Sequence, residues 1–416
     1  MTIVAGARIL VADDQPDVVR TLTDPLRRAG AFLTFVRDGE EALQRVAGGG
    51  YDLVLLDMKM PPHDWGGLWF LEQMQERNAV LPCIVLSGEG QQRQTVEAIR
   101  LGARDWISKS DADKELVTRC NSQLETDFSR SVSSMIAGGP GPLAHAYSRY
   151  QSTVGGDLQY VGALRLIEET IRLIALIGLA TSAPEQCGPL RRVRPGDLAR
   201  PSFGHWAALL GELASHDKTS EVFRALAQHL RPENDKQIQD LNKLRNNHAH
   251  GGHDPSMADR ERVLRVVDTW AHRLASTPFM IGSDAQMRFK GEDFEVSVLE
   301  HRGALPPRLT RLTLPQPVVL KAGPHLFAAG TAPVPLDPWF RVLERGSNGA
   351  GCTLGSFDGT KSSNPKAPLG EDHLTFTDSA TGERGIRLAD SSASWASVSS
   401  WFRTPTDVRD SGPTDG

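Results

Sequence analysis

Between residues 7 and 124, short apolar runs rich in β-branched residues alternate with segments of helical periodicity. No other feature of this 416-residue chain constrains its fold as much. The runs predict strands near 8–12, 32–36, 52–56, 83–87 and 105–108. Helical patterns fill the intervals near 16–29, 38–47, 66–77, 91–102 and 112–124. Strict βα alternation implies a parallel sheet with helices on both faces, a doubly wound α/β fold of five strands. The runs LVLL (53–56) and CIVL (83–86) are apolar on both faces, as central parallel strands under two helical layers must be. Gly30 and Gly102 fall where helices should stop.

Polar residues stand at the ends of these strands. Asp13 and Asp14 close ILVADD, Asp57 closes YDLVLLD, Ser87 closes IVLS and Lys109 follows WIS. In open parallel sheets ligands bind beyond the carboxyl ends of the strands. Carboxylates, a hydroxyl and an amine delivered there describe a site that takes up a phosphoryl group. Paired aspartates can also serve only as helix caps, but the joint presence of all four polar positions favours the reactive site.

ILVADD, LVLLDMKMP, IVLS and GARDWISK stand in the order and spacing of the receiver domain of two-component response regulators, which residues 7–124 resemble. The resemblance implies that a sensor histidine kinase donates the phosphoryl group to Asp57. A carboxylate nucleophile is what an acyl phosphate requires. Added charge in a site already holding three acids must be balanced, and Mg²⁺ with hard oxygen ligands suits this. Asp14 and Asp57 would supply carboxylates, and Asp13 would bind directly or through water. The family's usual third protein ligand corresponds to the backbone carbonyl of Lys59. Lys109 adds a cation opposite the metal, and Ser87 donates to a phosphoryl oxygen. In the family, movement of this hydroxyl is coupled to an aromatic residue, here Trp106, swinging inward. The helices near 91–102 and 112–124 would form the read-out and dimerisation face. Two departures stand out: Ser110 occupies the place of a customary cis proline, and PPHDWGG (61–67) is long, with Trp65 expected to be exposed.

Beyond residue 124 the composition changes. Ser, Gly and Pro dominate 125–156, which reads as a flexible linker with little helical order. Residues 157–278 predict an all-helical bundle, with helices near 158–181, 203–215, 219–230, 234–247 and 256–276. Val161, Leu164, Ile167, Ile171 and Ile174 keep helical spacing, and Glu168 with Arg172 forms an i,i+4 pair on the wetter side. FGHWAALLGEL (203–213) reads as ordinary core. FEVSVLE, LTRLTLP, PVVLKA and FRVLE predict a small β-rich domain over 279–390, and 391–416 reads as a disordered tail.

LNKLRNNHAHGG (241–252) is the second feature of interest. Ile238, Leu241 and Leu244 form an apolar stripe, with Arg245, Asn246, His248 and His250 at the helix end. A helical segment ending in Arg-Asn-x-x-x-His resembles HEPN domains, many of them metal-independent ribonucleases that act as dimers. That resemblance implies that Arg245 grips a phosphate and His250 moves a proton, with Asn246 orienting the loop and His248 a second base. Helix termination explains the same residues, because His and Gly favour a helix C-terminus. Packing and association are the preferred reading.

Composition closes off other classes. A net charge of −5 gives no global attraction to nucleic acid or anionic membrane. The four cysteines form no CxxC pair, which excludes a zinc ribbon and points to reduced thiols in the cytoplasm. No secretion signal or membrane span is evident, and HGGHDP (250–255) and GSNGAG (346–351) read as loops. No helix-turn-helix with a basic second helix appears, which disfavours DNA binding. The expected function is a phosphorylated switch acting through association, homodimeric, with a protein or RNA target for the helical segment. The rival is a phosphorylation-gated ribonuclease using Arg245 and His250.

Overall fold

A computed structural model describes residues 4–402, except 48–50, 78–80, 89–91, 154, 231–235, 250–253, 276–278, 291–292, 315, 329–330, 345–351, 362–372 and 389–397. The chain divides into two compact units. The first comprises Met1–Ser133 and Asp268–Ser276, and the second Ser134–Val267 and Thr277–Gly416.

In the first unit β1 (Arg8–Ala12), β2 (Phe32–Val36), β3 (Leu53–Asp57), β4 (Cys83–Ser87) and β5 (Asp105–Ser108) form one sheet in the order β2-β1-β3-β4-β5. Every pairing is parallel. The strands alternate with α1 (Pro16–Arg28), α2 (Gly39–Ala47), α3 (Gly66–Glu76), α4 (Gln92–Arg100) and α5 (Ala112–Gly138). All five residues of β3 and of β4 are buried, as the two-sided apolar runs require. Alternate residues feed two cores. Ile9, Leu53, Ile84 and Leu116 belong to one, and Leu10, Val54, Val85 and Phe70 to the other. Gly30 and Gly102 end α1 and α4 at φ +93° and +104°, where a side chain would be strained.

At the amino end of β3 a second electrostatic feature is buried. Arg273 Nε and Nη2 donate to the two oxygens of Asp52 at 2.8 and 2.5 Å. The Arg8 N–H adds a third bond at 2.8 Å. Burial works to raise the Asp52 pKa. The Arg273 guanidinium overrides it and, with His272 and the Arg8 amide, holds the carboxyl below its ordinary value. Arg273 comes from the last turns of a helix that begins at Met257.

In the second unit α6 (Gly141–Gln151), α7 (Gly156–Thr181), α8 (Pro184–Cys187), α9 (Pro195–Ala199), α10 (Phe203–Ala214), α11 (Glu221–Leu230), α12 (Lys236–Ala249) and most of α13 (Met257–Ala275) lie on the helical side. Nearly every residue of α7 from Leu164 to Leu179 is buried or half-buried, with α6, α10 and α11 packed around it. A helix apolar almost all round is a central one. The β side holds two antiparallel sheets. One contains β6 (Phe279–Lys290), β7 (Asp293–His301), β8 (Arg308–Leu314), β9 (His325–Ala328) and β10 (Val334–Pro335), in the order β10-β9-β6-β7-β8. The other contains β11 (Phe340–Glu344), β12 (Cys352–Lys361), β13 (His373–Asp378) and β14 (Ile386–Arg387), in sequence order.

Several expectations are corrected here. Residues 125–156 are not a connector with little helical order, because α5 continues to Gly138 and α6 follows. Buried Ser131, inside this helix, donates its hydroxyl hydrogen back to the Asp127 carbonyl one turn earlier at 2.7 Å, and it contacts His272 Nδ1 at 3.2 Å. The helical and β-rich segments are not separate domains. Trp206 of α10 packs edge-on to Phe357 of β12, which in turn meets Trp339, so one core serves both. PVVLKA (317–322) forms no strand. Ser399–Phe402 is a 3₁₀ turn with Trp401 buried rather than part of a disordered tail, and 403–416 lie outside the described residues. Arg172 is buried, not on a wet face. It pairs with Glu169 at 3.7 Å and donates to Thr377 Oγ1 at 2.8 Å, while Glu168 pairs with Arg245.

No helix among the described residues is long and apolar enough to cross a membrane.

Candidate phosphoacceptor site

The carboxyl ends of β1 and β3, where the strand order reverses, carry the acids. Asp13 follows the last residue of β1, and its amide donates to the Val36 carbonyl at 3.1 Å. Its own Oδ1 accepts from the Gln15 amide at 2.8 Å, which holds the carboxylate at the entrance to α1. Asp13 is buried and Asp14 exposed. Asp57 is the last residue of β3, buried, with Leu86 as its register partner on β4. One oxygen each from Asp13, Asp14 and Asp57 lies within 4.8 Å of the others.

Lys109 crosses to this cluster from the end of β5. Its Nζ lies 2.8 Å from Asp13 Oδ2 and 2.9 Å from Asp57 Oδ1. The Lys109 amide donates to the Ser87 carbonyl at 2.8 Å, fastening the end of β5 to the end of β4. Ser87 is buried beside the acceptor strand. Burial pushes the Asp57 pKa up to about 6; Lys109 opposes the rise, and the charges of Asp13 and Asp14 add to it. Burial works to lower the Lys109 pKa, but its bonds to Asp13 and Asp57 raise it instead. The lysine is therefore a fixed cation, and the acids are a cluster short of positive charge.

The long loop after β3 folds back under the site. Gly67 donates to the Met58 carbonyl at 3.3 Å and Gly66 to the Met60 carbonyl at 3.0 Å. A Cβ on Gly67 would meet the Asp57 carbonyl oxygen at 2.4 Å, and one on Gly66 would meet the Met60 carbonyl oxygen at 2.2 Å. Only glycine lets the first turn of α3 lie this close to the acceptor strand. The role of these glycines was not read from the sequence, though a Gly-Gly pair opening a helix was its visible trace. Trp65 is not exposed as expected. It is half-buried and packs with Trp69 against the core beneath β3.

The structure thus gathers Asp13, Asp14, Asp57 and Lys109, with Ser87 on the adjacent strand end. Lys59 is exposed, two residues beyond Asp57. Trp106 stands on β5 with 46% of its surface exposed. Ser110 follows Lys109, and its hydroxyl lies 2.7 Å from that of Ser108. Arg245 and Asn246 lie on α12, and neither belongs to the acid cluster found among the described residues. Arg245 Nε is 3.4 Å from Glu168, and its Nη1 donates to Asn246 at 3.3 Å. His248 packs edge-on to Tyr160, and His250 lies outside the described residues.

The family described as the response regulator receiver domain matches residues 9–121. This segment is a receiver domain. Over 117 residues the chain is 32% identical to the transcriptional regulatory protein ResD of Bacillus subtilis (strain 168), covering 28% of this chain and 48% of that protein. It is 30% identical over 152 residues to Protein PetR of Rhodobacter capsulatus, covering 35% of this chain and 61% of that one. The chain thus spans only about half to three-fifths of the length of these curated relatives. Among solved structures, the receiver domain of NtrX from Brucella abortus is 30% identical, covering 28% of this chain and 98% of that one, with a TM-score of 0.27. The response regulator TrrA of Thermotoga maritima, solved with Mg(2+)-BeF, is 29% identical over 28% of this chain and 98% of that one, with a TM-score of 0.26. The family match ends at residue 121, so it bears on the segment that holds the acidic site.

Proposed function

We propose that the chain is a cytoplasmic response regulator of a two-component phosphorelay, in which Asp57 accepts a phosphoryl group from a sensor histidine kinase. The reading rests on one observation: a buried carboxylate at the end of a central strand lies 2.9 Å from Lys109, and one of its oxygens falls within 4.8 Å of an oxygen from each of two further acids. The donor set fits Mg²⁺, which prefers hard oxygens and few protein ligands. Asp13, Asp14, Asp57 and the Lys59 carbonyl would hold it. Bound there, the ion neutralises charge that develops on the phosphoryl oxygens. The Asp57 oxygen forms the new O–P bond as the N–P bond of the donor phosphohistidine breaks. Lys109, released from Asp57, pairs with the phosphoryl group. Ser87 donates a hydrogen bond from its hydroxyl to a phosphoryl oxygen.

The output is a change in association. Val96, Ile99 and Trp106 are large apolar side chains exposed on α4 and β5. Inward movement of Trp106 once Ser87 is engaged reshapes that face, a local charge event biasing a two-state element. Light scattering on the full chain with beryllium fluoride and Mg²⁺ tests this. Wild type is expected to change its oligomer size and Asp57→Asn to stay the same. A wild-type mass that does not move under saturating mimic refutes the association output.

A further inference from the structure

A cavity of about 860 Å³ lies in the second unit among α6, α7, α12 and the turn after β13, and it shares no residue with the acidic cluster. Five arginines line it, against two glutamates, among the described residues. The glutamates are already committed. Glu169 accepts from Arg149 at 2.7 Å and also lies 3.7 Å from Arg172, while Glu168 faces Arg245. Arg384 is 3.8 Å from Asp358, whose oxygens already accept from Thr375, Thr377 and the Gly385 amide. Arg165 makes no ion pair or hydrogen bond among the described residues.

Arg172 makes this surplus costly. It is only 4% exposed, and an arginine so buried needs charge balance. Burial lowers its pKa, and Glu169 and Asp358 offset this only in part. The cavity is shaped around the guanidiniums. Gly382, at φ +72°, brings the turn so close that a Cβ there would meet Arg149 Nε at 2.9 Å. Tyr150, Val161 and Leu164 give it a less polar wall. Its volume is that of a small-molecule site, which is commonly about 300–1,000 Å³.

We propose that this cavity binds a small phosphorylated organic anion. Arginine forks match phosphate oxygens two at a time. Several forks converging on one space suit a multiply charged group better than a single carboxylate. The apolar wall takes the organic part. Arg165 and Arg384 are the entry cations, and Arg172 is the buried anchor. Arg245 is then part of a ligand site, paired to Glu168 until the ligand arrives. The inference is independent of phosphorylation at Asp57.

Calorimetric titration of the full-length chain with pyrophosphate, with ATP and with citrate tests it. Saturable binding of pyrophosphate or ATP is expected, with affinity falling as salt rises. Arg165→Ala and Arg384→Ala should each weaken it at least about tenfold, as loss of a charged hydrogen bond does. Arg311→Ala, at an exposed arginine outside the cavity, should leave it unchanged. Arg165→Lys, which keeps the charge and solubility, should fall between wild type and Arg165→Ala. Asp57→Asn should bind as wild type, which separates this claim from the phosphorelay. Failure of both phosphate probes to bind overturns the proposal, as does binding indifferent to Arg165 and Arg384, or binding of citrate alone.

Discussion

Replacing Asp57 with asparagine should stabilise the first unit, although it removes the acceptor. The magnitude follows from the acid cluster. The Asp57 pKa stands at about 6 in the folded chain, against an ordinary value of 3.8. Its side chain is only 5% exposed, so solvent screening discounts little. A rise of roughly two units corresponds to about 3 kcal/mol, an upper bound on the cost of ionising this group in the fold. Because the folded pKa is raised, stability from this group is greatest below the unfolded value and declines as pH rises from about 4 to about 6. Above that window wild type carries the whole cost. Asp57→Asn carries none of it, and Lys109 keeps Asp13 as its partner at 2.8 Å. At about pH 8 without divalent ions, the variant should be more stable by up to about 3 kcal/mol, and at about pH 4 nearly equal to wild type. Added Mg²⁺ should close the gap by stabilising wild type in proportion to its occupancy. Hydrogen exchange at the amides of β3 and β4 reads this unit directly in the intact chain. A variant no more stable than wild type at high pH, or a difference that ignores pH, refutes the reasoning.

Three further outcomes follow from the same geometry. Gly67→Ala would press a methyl against the Asp57 carbonyl at 2.4 Å, so it should cost about 1–3 kcal/mol and slow phosphoryl uptake, seen by denaturant melts and a labelling time course. Arg273→Met leaves Asp52 buried and unpaired, and should cost about 3–5 kcal/mol in a chemical melt, whereas adding Asp52→Leu should recover much of it. Since the folded Asp52 pKa is depressed, the stability from this pair should be present above about pH 4 and fade as pH falls below it. Trp106→Ala should barely change stability, its ring being half exposed, yet should abolish the phosphorylation-linked change in oligomer size.

The receiver was legible because its signals are local. Strands such as LVLL need no partner to be recognised, and Gly30 and Gly102 mark helix ends by their own conformational freedom. Asp13, Asp14, Asp57 and Lys109 were legible because strand ends place them before any contact is known. What escaped depends on partners far along the chain. Arg172 looked like a surface pair with Glu168, but Thr377, 205 positions away, and the packing of α7 draw it inside. Asp52 read only as a strand residue, because Arg273 lies 221 positions on. Residues 125–138 carry Ser and Gly that weaken helix propensity. Propensity is a weak prior, and packing such as that of Ser131 with His272 overrides it.

The most direct test of the central claim is phosphoryl uptake. The full-length chain is incubated with a small-molecule phosphodonor, with and without Mg²⁺, and the modified peptide is mapped. The expected result is one base-labile phosphoryl group on the peptide that contains Asp57, dependent on Mg²⁺ and missing in Asp57→Asn. Uptake that persists in Asp57→Asn, or no uptake by wild type with Mg²⁺ present, contradicts the assignment.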